Sequence, residues 1–180
     1  MKVVLLSGGV GGARFARGLY TTLAPDELTI VGNVGDDLEV LGLSISPDLD
    51  SILYALAGLG DEERGWGRSG ETWNALSAVG EWGGEDWFRL GDLDLGLHLV
   101  RTQARREGAT LSEVTSRLVS RAGLRLRLLP ATDDPVRTKV VTPAGTTATT
   151  TDEDDRTMVP AGESRSDRVE IRDPERRDTP

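Results

Sequence analysis

Cysteine is absent from the sequence, histidine occurs once, and aromatic residues make up only 4% of the chain. Without cysteine there is no disulfide, no thiolate metal site and no cysteine nucleophile, and a single histidine argues against a zinc site. Basic residues are outnumbered, because 21 Lys and Arg stand against 30 Asp and Glu and give a formal net charge of −9. This charge argues against nucleic acid and against an anionic membrane surface as partners.

Long apolar runs are missing as well. Residues 3–6 are apolar, but four residues suffice only for a strand, and the N-terminus lacks a charged segment followed by a long apolar run and a cleavage site. Residues 146–180 contain no aromatic residue and few aliphatic ones, a composition that cannot bury enough apolar surface to fold. We therefore expect a cytoplasmic protein with a folded domain over residues 1–145 and a disordered polar tail over residues 146–180.

Between the first apolar run and a segment with helical periodicity stand four glycines: Gly8, Gly9, Gly11 and Gly12. Bare backbone amides at a helix N-terminus form a site for phosphate oxygens, because the helix dipole adds partial positive charge there. Arg14 stands where the dinucleotide fingerprint has Gly or Ala, and no Lys-Ser or Lys-Thr pair follows as in a P-loop. Two interpretations stay open: a phosphate site, or a turn that only lets the first helix pack on the sheet.

A second predicted strand covers residues 28–33 and ends in Asn33, shortly before Asp36 and Asp37. Strands joined through a helix in this way run parallel, so the glycine stretch and the two aspartates belong to the same carboxyl edge of the sheet. Open α/β sheets bind their ligands at that edge. The sequence therefore predicts an α/β fold with a mostly parallel sheet and a ligand site at its carboxyl edge.

A further helix is predicted to begin at Ser46, with Ser46 as the N-cap and Pro47 in the first turn. Asp48 and Asp50 suit this turn because the helix dipole favours carboxylates there. Alternatively, they add to the earlier aspartate pair and gather four carboxylates around one cleft. Mg²⁺ is commonly bound by one or two carboxylates together with substrate phosphates, so such a cleft suits a metal-diphosphate complex and transfer of a phosphoryl-type group.

Trp66 and His98 complete the set of candidate residues. Trp66 lies between two glycines in the polar loop of residues 58–70, where it either caps the core or offers a flat surface to an aromatic ligand. His98, Arg101 and Arg105 share one face of a predicted helix. Either that face is solvated, or His98 and Arg101 line the cleft and meet phosphate or carboxylate groups.

The remaining sequence patterns predict secondary structure and not site residues. A capping box formed by Thr110 and Glu113 opens a helix that ends near Gly123. Further predicted elements are a helix that begins at residue 71 and strands at residues 124–128 and 136–142.

Over about residues 1–145, a series of short motifs resembles the 2-phospho-L-lactate transferase family in order and spacing. The motifs are Ser-Gly-Gly-Val-Gly-Gly-Ala-Arg-Phe at residue 7, Asn-Val-Gly-Asp-Asp at 33, Ser-Pro-Asp-Leu-Asp at 46, Arg-Gly-Trp-Gly at 64, Glu-Thr-Trp at 71, Leu-Gly-Asp at 90, His98 to Arg101, and Leu-Pro-Ala-Thr-Asp-Asp at 129. Together they identify the chain as similar to this family along most of its length.

The resemblance implies a Rossmann-like three-layer sandwich and a role in the biosynthesis of coenzyme F-420. Family members transfer a phospholactyl or phosphoenolpyruvyl group from a guanosine-diphospho donor to the ribityl hydroxyl of the deazaflavin Fo, and they release GMP with Mg²⁺ as cofactor. By the same resemblance, the donor is assigned to Gly8, Gly9, Gly11, Gly12 and Asn33; the metal to Asp36, Asp37 and Asp48; and the acceptor to Asp50, Trp66 and His98, with Asp50 also catalytic.

The chain departs from the family pattern in two ways. Leu93 stands where family members usually carry an Arg that contacts the acceptor, and Leu cannot imitate a planar cation. Family chains are also nearly twice as long, so the C-terminal half of the fold is missing and we expect weak activity or none from this chain alone. Family members are often dimeric, which makes a homodimer the candidate assembly. The alternative functions are a nucleotide-sugar-binding regulatory protein of the same superfamily and an inactive remnant.

Overall fold

The computed structural model describes residues 1–24, 26–142 and 145–148. Its first compact unit spans Met1–Val136. The strands of this unit are β1 (Val3–Ser7), β2 (Leu28–Gly32), β3 (Leu38–Val40), β4 (Leu43–Ile45) and β5 (Arg127–Pro130). Its helices are α1 (Gly9–Thr22), α2 (Pro47–Ala57), α3 (Asn74–Glu81), α4 (Asp92–Arg106) and α5 (Leu111–Arg121).

The second compact unit begins at Arg137. Its described part is an antiparallel hairpin of β6 (Lys139–Thr142) and β7 (Gly145–Ala148). The strand predicted over residues 136–142 corresponds to β6, which begins later. The first residues of the predicted tail belong to β7, whereas residues 149–180 lie outside the described residues, so their disorder stays a prediction.

A parallel sheet with the strand order β1-β2-β5 forms the centre of the first unit. Leu5 pairs with Ile30, and Ile30 pairs with Leu128, so these three side chains point to one face of the sheet. That face packs against α1, α2 and α5 in one apolar cluster, in which Ile30 is fully buried. The predicted β-α-β unit and the Rossmann-like α/β class are therefore confirmed.

On the other face of β1, Val4 and Leu6 stay exposed, at 66% and 77% of their surface. The contrast follows from the alternation of side chains along a strand. Within Met1–Val136, the helices named above thus cover the face that carries Leu5.

Close contact between β2 and α2 depends on Gly32. A Cβ atom at this position would lie 2.5 Å from Cδ2 of Leu49 and 3.4 Å from Cδ1 of Ile52. Leu49 and Ile52 belong to the apolar stripe predicted for α2, and both are buried. Gly32 therefore lets the first turns of α2 lie directly on the end of the strand, which fixes the position of Asp48 and Asp50.

We expect Gly32→Ala to lower the free energy of unfolding by about 1–3 kcal/mol, because it overpacks this contact. Gly18→Ala is the matched control, since Gly18 lies inside α1 with nothing within 4 Å of its would-be Cβ. The control should raise stability by about 0.5–1 kcal/mol. Urea unfolding of both variants measures the two changes, and equal effects would contradict the packing role of Gly32.

Two carboxylates cap helices α3 and α4 reciprocally. Glu71 accepts hydrogen bonds of 2.8 Å from the backbone N–H groups of Leu93 and Asp94 at the start of α4. Asp92 in turn accepts from the backbone N–H groups of Asn74 and Ala75 at the start of α3. The helix predicted to begin at residue 71 therefore begins at Asn74, because the Glu71 side chain serves the other helix.

Three further predictions meet different outcomes. The capping box is confirmed, since Thr110 Oγ1 accepts from the Glu113 N–H and the Glu113 carboxylate accepts from the Thr110 N–H. The strand predicted over residues 124–128 is displaced, because β5 begins at Arg127. Ser46 is the N-cap residue of α2, but its side chain makes no cap hydrogen bond; the Ser46 hydroxyl donates instead to Asp37.

Candidate functional site

The glycine stretch is the first turn of α1 rather than a free loop. Gly8 is the N-cap residue, and the helix begins at Gly9, whose φ of +64° favours glycine. The Gly9 N–H donates a 2.6 Å hydrogen bond to Oδ1 of Asp48. The other carboxylate oxygen of Asp48 accepts a 2.6 Å hydrogen bond from Nδ2 of Asn33. The positive end of the helix is thus matched by a carboxylate of the protein itself.

The other three glycines of this turn, Gly8, Gly11 and Gly12, differ in what a side chain would meet at each position. A side chain at Gly8 would lie 3.1 Å from Cβ of Asn33, and one at Gly12 would lie 2.5 Å from Oγ of Ser7. These two glycines allow close packing. Gly11 differs, because its would-be Cβ meets nothing within 4 Å and a glycine inside a helix costs about 0.5–1 kcal/mol relative to alanine. Packing therefore explains Gly8 and Gly12, whereas Gly11 leaves the backbone open in the first turn of α1.

Asp37 carries a buried carboxylate oxygen that lacks a partner. Its Oδ2 accepts a 2.8 Å hydrogen bond from Oγ of Ser46, but Oδ1 is buried and has no hydrogen-bond partner in the described structure. Burial raises the pKa of Asp37 to about 6, and the nearby charges of Asp50 and Asp48 act in the same direction. A cation placed at this oxygen would satisfy it and would restore the ionised form.

Asp50 is joined to Arg101 in a buried ion pair. Arg101 is 1% exposed and binds both oxygens of the carboxylate: Nη1 donates to Oδ2 over 3.0 Å, and Nη2 donates to Oδ1. Burial opposes the charge of Arg101, but the contact with Asp50 outweighs it and raises the pKa of the guanidinium. The Asp50 carboxylate is therefore held in place at the start of α2 by a buried guanidinium.

His98 lies behind this pair and is 3% exposed. Its Nδ1 is 3.3 Å from Nη1 of Arg101 and 3.8 Å from Oδ2 of Asp50. Burial lowers the pKa of His98 to about 4, so the imidazole is neutral near pH 7. The interpretation of this helix face as solvated is therefore wrong for His98 and Arg101. Contact of His98 with an acceptor stays a prediction.

The structure thus brings together most of the residues predicted for the carboxyl edge. Asp37, Asp48, Asp50 and Asn33 lie near the start of α1 and α2, with Arg101 reaching them from α4. Asp36 is exposed. The described residues contain no group of three or more His, Cys, Asp or Glu side chains that could hold a metal by themselves. Mg²⁺ needs fewer protein ligands, because it is commonly bound by one or two carboxylates together with substrate phosphates. The buried Oδ1 of Asp37 fits the role of such a carboxylate ligand.

A cavity of about 560 Å³ is lined by residues of α1, of α2 and of the loop that carries Trp66. Trp66 itself is 45% exposed. Along α1 the lining begins at Val10, and along α2 it begins at Ser51. Trp66 therefore borders a space of the size that small-molecule ligands occupy.

Comparisons with known proteins identify the family. The family model described as 2-phospho-L-lactate transferase CofD matches residues 3–175. The chain belongs to the CofD family. Among CofD-like relatives, a phosphoenolpyruvate transferase of Kitasatospora aureofaciens is 49% identical over 142 residues, which cover 78% of this chain and 44% of that protein. The phosphoenolpyruvate transferase of Streptomyces coelicolor is 46% identical over 141 residues, with the same coverage.

This CofD-family chain thus spans less than half the length of these curated relatives. A crystal structure of a UPF0052 family member from Bacillus halodurans has a TM-score of 0.48 and 20% sequence identity, over 82% of this chain and 45% of that one. Within the described ranges, no helix has the length and apolar character needed to cross a membrane.

The sequence does not indicate the partners of two arginines. Arg101 was a candidate for a ligand anion, but its partner is the protein's own Asp50. Arg64 belongs to the Arg-Gly-Trp-Gly motif, and its Cζ atom lies 5.0 Å from the ring centroid of Trp66 and 4.9 Å from that of Trp73. The spacing Arg-Gly-Trp held the signal for Arg64, whereas no local pattern joins residues 50 and 101.

Proposed function

We propose that the chain acts in coenzyme F-420 biosynthesis as a transferase that moves a phosphoenolpyruvyl group from a guanosine-diphospho donor to the deazaflavin Fo. Family membership supports the reaction class, and the names of the relatives at 46–49% identity favour the enolpyruvyl over the lactyl donor. The observation that carries the proposal is the carboxylate cluster of Asp37, Asp48 and Asp50 at the N-terminal ends of α1 and α2.

The donor is proposed to bind with its diphosphate at the first turn of α1. Gly11 keeps the backbone open there, and the helix end favours anions. Because Asp48 already accepts from the Gly9 N–H, the phosphates bind beside that carboxylate or displace it. Asn33 is hydrogen-bonded to Asp48, and we propose that it contacts the donor in either arrangement.

The metal site is proposed at Asp37, with Asp36 and Asp48 as further ligands. A bound Mg²⁺ would neutralise charge on the bridging and leaving oxygens of the donor. Asp37 offers the buried oxygen without a partner, and Asp48 lies close enough to influence its pKa. Asp50, held by Arg101 at the same edge, is the proposed catalytic carboxylate that orients the acceptor.

In the proposed reaction, the ribityl hydroxyl oxygen of Fo forms a bond to the phosphorus that bears the enolpyruvyl group. The bond from that phosphorus to the oxygen shared with GMP breaks, GMP leaves with the electron pair, and the hydroxyl proton passes to solvent or to a carboxylate. We place Fo against Trp66, with His98 supporting Asp50 from behind. The reaction is proposed to take place in the cytoplasm, and a homodimer is the proposed assembly.

The test is to incubate the purified chain with Fo, Mg²⁺ and either the enolpyruvyl or the lactyl donor, and to follow GMP release by chromatography. In line with the weak activity expected from this chain alone, we expect slow GMP release that requires both Fo and Mg²⁺ and that is faster with the enolpyruvyl donor. Saturable donor binding without GMP release would support the nucleotide-binding alternative, and loss of cooperative unfolding would support the inactive remnant.

A further inference from the structure

Trp66 is the outer member of a stack of three side chains. The Cζ atom of Arg64 lies 5.0 Å from the ring centroid of Trp66 and 4.9 Å from that of Trp73. A guanidinium is attracted to the faces of indole rings. We call the arrangement Trp73, Arg64, Trp66 the indole stack.

The inner part of the indole stack is firmly held. Asp61 accepts a 2.6 Å hydrogen bond from Nη2 of Arg64 and a 2.8 Å hydrogen bond from the Arg64 backbone N–H. Directly after Trp73, the backbone N–H of Asn74 donates to Asp92. Arg64 is therefore held by Asp61, and the chain next to Trp73 is held by Asp92.

Two glycines let the chain present Trp66 in this position. Gly65 has a φ of +82° and Gly67 a φ of +69°, conformations that side chains disfavour. The backbone thus turns on both sides of Trp66, so that one ring face meets Arg64. These two turns explain the presence of a tryptophan between two glycines in a polar loop.

Trp66 also lines the 560 Å³ cavity, opposite residues of α1 and α2, whereas Arg64 is not part of the lining. Arg64 occupies one face of the Trp66 ring, so a ring that enters the cavity can stack only on the opposite face. Tyr54 and Arg14 lie on the facing walls. The space is of the size that small-molecule sites have, and it joins an aromatic surface to polar groups.

We infer that a planar heteroaromatic ring of a substrate stacks on the cavity face of Trp66, and that Arg64 is the positioning residue that holds this face in place. The inference rests on the proposed function, which supplies two such rings, the deazaflavin of Fo and the guanine of the donor. A prearranged indole binds a ring at a lower entropic cost than a mobile one.

The test is calorimetric titration of the full chain with Fo alone and with GDP alone. Trp66→Leu, which keeps apolar volume but removes the ring, should weaken one of the two ligands by about 5–100-fold, as stacking energies predict. Trp66→Phe should restore most of that affinity. Arg64→Gln should weaken the same ligand by about 2–5-fold and leave the affinity for the other ligand unchanged. Trp82→Leu is the control, because Trp82 is 91% exposed and lies outside the cavity.

Weaker binding of Fo identifies the deazaflavin as the stacked ring, and weaker binding of GDP identifies the guanine. Affinities for both ligands within about twofold of the parent chain in Trp66→Leu, with an unchanged melting temperature, would overturn the inference. A dependence of ring binding on Trp66 without any GMP release would sustain the inference and reject the proposed function. Normal transfer by Trp66→Leu would sustain the proposed function and reject the inference.

Discussion

Arg101→Met is expected to lower the free energy of unfolding by about 3–5 kcal/mol, the range seen when one partner of a buried ion pair is removed. Arg101 is 1% exposed and binds both carboxylate oxygens of Asp50, which is itself 5% exposed. Without the guanidinium, a negative charge would remain in a site from which water is excluded. Chemical denaturation followed by circular dichroism measures the change.

Two further variants separate the ion pair from simple packing. Arg105→Met, on the same helix α4 but only half-buried, should cost less than about 1 kcal/mol. The double variant Arg101→Met with Asp50→Asn should regain part of the lost stability, because the unpaired charge is gone. A loss below about 1 kcal/mol for Arg101→Met, or a double variant as unstable as the sum of the single ones, would contradict the role given to the pair.

Asp37→Asn is expected to reduce the rate of GMP release by about 10²–10³-fold, the size of effect that removal of one stabilising group in an active site produces. The asparagine keeps an acceptor for the Ser46 hydroxyl but removes the buried negative oxygen that has no partner. Mg²⁺ with GDP should raise the melting temperature of the parent chain, and this shift should vanish in the variant because a metal ligand is lost.

Asp26→Asn is the matched control for this substitution, since the Asp26 side chain is 83% exposed and pairs with Lys2 in a surface salt bridge. It should leave both the rate and the melting shift unchanged. An Asp37→Asn variant with the parent's rate and the same response to Mg²⁺ would remove Asp37 from the proposed metal site.

The part of the fold that local patterns determine was predictable from the sequence. The β-α-β unit followed from apolar runs and glycine punctuation, and the stripe of α2 from its 3.6-residue period, with Leu49 and Ile52 buried as expected. The hairpin of β3 and β4 escaped prediction. Its strands have three residues each, too few to show alternation, and its turn places Leu41 at a φ of +52° where the usual signal would be Asn or Asp before Gly.

The candidate site was predictable in position but not in its internal contacts. Strand ends at one edge of a parallel sheet gather the aspartates, so the location followed from topology. The partner of each carboxylate is set by tertiary packing: Asp48 meets Gly9 across 39 residues, and Asp50 meets Arg101 across 51. Ser46 shows the same effect locally, because its hydroxyl serves Asp37 instead of the helix end. Sequence periodicity does not indicate which hydrogen-bond partner a polar side chain has in the folded protein.

The proposed transfer is tested most directly by the mass of Fo after a single turnover. The chain, in excess over Fo, is mixed with Mg²⁺ and the enolpyruvyl guanosine-diphospho donor, and the deazaflavin is recovered for mass spectrometry. The predicted result is a deazaflavin heavier by one phosphoenolpyruvyl group, formed in equal amount with GMP. Unchanged Fo, recovered from a chain that unfolds cooperatively and binds the donor, would contradict the proposal that this chain carries out the transfer.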